Sequence, residues 1–64
     1  MKEYAIYCLA EGIRLVAAEW IEASDDDEAL ATAATMRRGV KREVWQGDRM
    51  VGQIEMDPGA EAIG

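Results

Sequence analysis

The sequence predicts an α+β domain, ordered ββαββ, in which a four-stranded and mainly antiparallel sheet carries one helix packed on one face. Three observations predict it. Residues 3–10 with 13–23, and 40–46 with 49–56, read as strands in pairs about short turns that contain glycine. Between the pairs, an acidic stretch opens a segment whose apolar residues recur at helical spacing. Finally, 64 residues leave room for one domain, expected over 1–56, with the Pro- and Gly-bearing 57–64 as a flexible C-terminal tail.

In the first pair, Glu11-Gly12 is read as a two-residue turn, because Gly at the second position permits a positive φ. That turn pairs Cys8 with Leu15, Ile6 with Ala17 and Tyr4 with Glu19 on one face, the better candidate for the core. The opposite face then carries Tyr7 with Val16, Ala5 with Ala18 and Glu3 with Trp20. It is mixed, yet too apolar to be fully wet.

The helix is expected to begin at Ser24 to Glu28, with Asp25 as cap and Glu28 three residues on completing a capping box. It is expected to run to Arg38 and to stop at Gly39 in a left-handed C′ position. Leu30, Ala33, Ala34 and Met36, with the stem of Arg37, form its apolar side. Alanine dominates there, so the helix can sit close to a sheet but buries little area.

In the second pair, Gly first in Gly47-Asp48 suits a type II′ turn. Alternation leaves both faces open as core: Val40, Val44 and Val51 share one, and Trp45, Met50, Ile54 and Met56 the other. The Trp45 face has the larger apolar area and is the one expected to pack.

Charge and composition then remove whole classes of function. Seven basic against thirteen acidic side chains give a net charge of −6, which opposes general nucleic-acid binding. There is no histidine, hence neither the commonest general base nor the commonest metal ligand. A single cysteine, Cys8, cannot close an intrachain disulfide, and it falls on the core face without a base to activate it. No glycine-rich phosphate loop, signal peptide or membrane-length apolar run occurs, so a cytoplasmic protein without cofactor, metal or catalytic residue is expected.

Two charge runs remain. Glu19, Glu22, Asp25, Asp26, Asp27 and Glu28 lack the ligand spacing and turn glycine of a calcium loop, and acids suit a helix N-terminus. Arg37, Arg38, Lys41 and Arg42 are the counterpart expected at the C-terminal end, with no aromatic interleaved to suggest nucleic acid. The result is a molecule acidic at one helix end and basic at the other, able to pair with a copy of itself.

The strings IEASDDDEALATA and REVWQGDRMVGQI resemble a group of small uncharacterised bacterial proteins with two hairpins around one helix. The late motif is Glu43, Val44, Trp45, Gly47, Arg49, Met50 and Val51, and the resemblance covers residues 4–54. It implies a fold and no activity. A looser similarity, carried by Asp25 to Leu30, is to antitoxin-like domains.

The function expected is a small non-catalytic protein-interaction module that forms a homodimer, because domains of this size need extra support and one helix covers one face of a sheet. Tyr7, Val16, Trp20 and Trp45 are the candidate interface residues. One alternative is an antitoxin-like or regulatory partner that meets a basic protein surface. Another is a small-molecule binder that stacks a planar ligand on Trp20 or Trp45 at a dimer seam.

Overall fold

A computed structural model describes residues 1–55; the end of the expected domain at residue 56 and the expected tail, 57–64, lie outside the described residues. Strands β1 (Lys2–Ala10) and β2 (Arg14–Ala23) are followed by helix α1 (Asp26–Ala34) and strands β3 (Lys41–Gln46) and β4 (Arg49–Ile54). The four strands form one sheet in the order β2-β1-β3-β4, and every pairing is antiparallel. The ββαββ architecture is therefore as expected. The chain leaves the sheet at the β2 edge, passes through the helix and re-enters beyond β1, which makes β1 an inner strand. Its residues Tyr4, Ala5, Ile6 and Cys8 are accordingly buried.

Both hairpins contain a register shift that the alternation did not show. The first loop has three residues, Glu11, Gly12 and Ile13, with φ of 58° at Glu11 and 77° at Gly12. Cys8 pairs with Ala17 but Leu9 with Leu15, so Val16 is an inserted bulge residue. Beyond it, Ile6 faces Glu19 and Tyr4 faces Ile21, two residues from the expected register. A slip of two keeps each side chain on its face, so Tyr4, Ile6 and Cys8 still point to the core. Past the bulge the parity changes: Leu15 joins Leu9 on the other face and is exposed, as is Ile13.

The second hairpin turns at Gly47 with φ of 62°, in agreement with the type II′ expectation. Trp45 pairs with Met50 but Val44 with Gly52, so Val51 is a second bulge residue. This insertion moves Ile54 opposite Arg42, onto the Val44 face. The expectation that the Trp45 face packs is thereby corrected: Val44 is fully buried, with Val51 and Ile54 beside it, and Trp45 lies on the opposite face. The bulge defeats the count of apolar area, because it transfers one large aliphatic group between faces.

The helix starts as expected and ends early. Asp25 is the N-cap, and its carboxylate accepts from the Glu28 N–H at 2.8 Å. Glu28 reaches back to accept from the Ser24 N–H, one residue before the usual capping-box partner. That N–H holds the Glu28 carboxyl below the ordinary carboxylate range. At the other end the last helical residue is Ala34, not Arg38, and the left-handed residue beyond it is Arg37, with φ of 42°, not Gly39. The buried helix residues are Ala29 and Ala33, with Leu30 alongside, whereas Ala34 is exposed.

Arg42 lies at the end of the helix. This β3 side chain is 1% exposed and lies against main-chain carbonyls. Its Nη1 donates to Ala33, Ala34 and Met36 oxygens at 3.1, 3.0 and 2.9 Å. Nε donates to Val40 O at 3.0 Å and Nη2 to Glu55 O at 2.8 Å. Carbonyls of the last helical turn and of the loop after it thus share one guanidinium with the end of β4.

Candidate functional site

The helix occupies the face that carries Tyr4, Ile6, Cys8, Val44 and Gly52, so the other face of the sheet is uncovered among the described residues. The registers give it in rows. Trp20, Ala5, Trp45 and Met50 run across β2, β1, β3 and β4. Ala18, Tyr7, Glu43 and Gln53 form the next row, and Leu15, Leu9 and Lys41 a third. Beyond the first row, Glu22 stands directly opposite Glu3.

Ala5 is the floor of this surface. It has a tryptophan opposite it on each side, and it is only 3% exposed although no helix lies above it. Trp45 is half-buried, and its Nε1 donates to Glu43 Oε1 at 3.2 Å, which holds the ring along its own strand. Trp20, on an edge strand, is 65% exposed. Leu15, Val16 and Met50 are exposed as well.

Three of the four expected interface residues, Tyr7, Trp20 and Trp45, therefore share one face. Val16 does not stand opposite Tyr7 as expected; Ala18 does, and Val16 is the bulge residue nearer the turn.

The charge runs are drawn into the fold. Asp26 accepts from the buried Tyr4 hydroxyl at 2.9 Å and, in a fork, from Arg49 Nη1 and Nη2 at 3.1 Å each. The Arg49 guanidinium, then the Tyr4 hydroxyl, hold the Asp26 carboxyl below the ordinary range. Burial, then the Asp26 carboxylate, push the Tyr4 phenol up. Asp25, Asp26 and Asp27 border a surface concavity of 260 Å³ with Lys2 and Arg49. No group of three or more His, Cys, Asp or Glu among the described residues is placed to hold a metal ion.

From the basic run, Arg37 Nε donates to Glu19 Oε2 at 2.8 Å and Arg42 is the buried clamp. Cys8 is buried, and burial pushes its thiol up, away from the thiolate that nucleophilic chemistry needs.

Arg42 is not legible as a structural centre, because its parity with Val40 and Val44 puts it on the face opposite the one that apolar area favours. The Tyr4–Asp26–Arg49 cluster joins residues more than twenty positions apart and has no local signal. No helix among the described residues is long and apolar enough to cross a membrane. No family model, curated protein or solved structure matches the chain.

Proposed function

We propose that the protein is a small non-catalytic interaction module that self-associates as a homodimer through its uncovered sheet face. The observation that carries this reading is the row Trp20, Ala5, Trp45 and Met50, with Tyr7, Leu9 and Leu15 beside it. A contiguous apolar patch of this kind on a domain of 64 residues marks an interaction surface. A second copy suits it by area. At the usual strand spacing and rise, four strands of these lengths present roughly 500 Å². Two such faces stacked remove on the order of 1,000 Å² from water, about the minimum for a specific interface. The thin, alanine-rich core on the other side gives the domain a reason to gain stability this way.

Neither nucleic acid nor a cofactor belongs to this reading, given the net charge of −6 and the engagement of Arg37 and Arg42 within the fold. A cytoplasmic location belongs to it, since an unpaired thiol suits a reducing compartment.

Light scattering at micromolar concentration should give twice the chain mass, and Trp20→Lys should give the chain mass with an unchanged far-ultraviolet spectrum. A wild-type protein that stays monomeric up to about 100 μM, a concentration far above that of a specific complex, would sink the reading. An absorption band beyond the tryptophan region in the purified protein would instead favour a planar ligand between Trp20 and Trp45.

A further inference from the structure

The two edges of the sheet are built differently. β4 has six residues, begins with Arg49 and contains both a bulge at Val51 and a glycine at 52. Short length, charge and bulges are the devices by which sheet edges avoid further pairing. β2 has ten residues, and its one irregularity lies near the turn, at Val16. Residues 17–23 keep unbroken register with β1 and contain no Pro, Gly, Lys or Arg. The outward main-chain donors and acceptors of this stretch are arrayed as a template for another strand.

Charge decides what kind of strand. Glu22 directly faces Glu3 on the uncovered side, and like charges so placed repel. A cation on an added strand, opposite Glu22, would relieve that repulsion. Within the unbroken stretch 17–23 a second copy of β2 offers none, holding Glu19 and Glu22 and no base; the one base of β2, Arg14, lies on the far side of the bulge at Val16. Antiparallel self-pairing centred on residue 19 or 22 sets a glutamate opposite its own copy, and centring on 20 or 21 sets one diagonal to it.

We propose that the outer edge of β2 accepts an extended segment of a different, basic protein as an added antiparallel strand. Lys or Arg opposite Glu22, and apolar residues opposite Trp20 and Ala18, are the side chains that fit. Among the described residues no strand pairs with this edge, and stacking two uncovered faces does not use it, so the proposal does not depend on the homodimer.

The probe is a capped peptide, Thr-Lys-Thr-Val-Thr-Val-Thr, titrated into the isotope-labelled full chain at low salt. Saturable binding should shift and protect amides within residues 17–23. Exchanging the peptide lysine for glutamate, or making Glu22→Lys in the protein, should weaken binding about tenfold, as expected when a cross-strand attraction becomes a repulsion. N-methylation of alternate peptide residues should abolish it, because the strand ladder needs those donors. A far-ultraviolet spectrum of Glu22→Lys like that of the parent protein accompanies these results if the edge alone is altered. Absence of binding at millimolar peptide, indifference to N-methylation, or shifts centred on Trp45 and Met50 would each overturn the proposal.

Discussion

On the helix-covered face the enclosed residues are Tyr4, Ile6, Cys8, Val44 and three alanines, whereas the uncovered face holds both tryptophans with Tyr7, Leu9, Leu15 and Met50. Both tryptophans are thus on the side with less to cover them, while the largest fully buried side chain of the covered face is the polar Arg42. Size on the covered face is limited by the approach of another backbone. A Cβ built on Gly52 would lie 3.1 Å from Leu30 Cδ2, and Ala29 and Ala33 let the helix sit close to the sheet. On the open face none of the described elements presses, and bulk is tolerated. Hydrophobicity alone therefore does not say which face is enclosed; the room left by the second layer does.

The difference can be tested by substitution on either side. The largest effect should come from Arg42→Met. It removes a charged donor from five carbonyls, three of which share the two Nη1 hydrogens; a hydrogen bond from a charged group contributes about 1.5–3 kcal/mol before compensation. A core this small supplies about 3–5 kcal/mol in total. Arg42→Met should therefore show no cooperative thermal transition, and Arg42→Lys should be intermediate because an ammonium cannot reproduce the planar fork. A melting curve for Arg42→Met close to that of the parent would break the comparison.

Gly52→Val should cost about 1–3 kcal/mol by overfilling the space beside Leu30, read as a lower urea midpoint at constant slope. If the midpoint were unchanged, the covered face would have slack that the close contact denies.

Acid should act on the rim of the covered face. Asp26 and Glu28 both have carboxyls held below the ordinary range in the folded state. Each contributes stability that is complete above its unfolded value and is lost as pH falls through the folded one. The urea midpoint should hold down to about pH 5 and decline below about pH 4. Asp26→Asn should flatten that decline, and a midpoint constant from about pH 5 to pH 3 would remove the linkage.

The smallest effect on the single chain belongs to the open face. Trp20→Lys, although it should abolish the dimer, should move the stability of the dissociated chain by no more than about 0.5 kcal/mol, as exposed substitutions do. It should also make the melting temperature independent of concentration.

Much of the fold was legible because its signals are local. Gly12 and Gly47 marked the turns, and Asp25 with Glu28 marked the helix start. The two bulges were not legible, since one inserted residue leaves no compositional mark and yet reverses the parity between the residues on its two sides. For that reason Leu15 and Ile54 were assigned to the wrong faces. The helix end was misjudged because its carbonyls are satisfied from Arg42 in β3, whereas Gly39 suggested a stop within the segment. At the candidate site, Tyr7 and Trp20 were legible as neighbours from alternation alone. That Trp45 joins them required knowing that β3 pairs with β1, a long-range choice that no turn encodes.

The Arg42 clamp also bears on the order of events as the chain is made. Its acceptors run from residue 33 to residue 55. During synthesis from the N-terminus, Arg42 is made thirteen residues before Glu55 supplies the last of these carbonyls, about 0.7–2.6 seconds at ordinary elongation rates. Through that interval the guanidinium lacks one of its partners, and burying a charge without full partnership is unfavourable. Full pairing of the guanidinium therefore waits for Glu55, the last of the described residues.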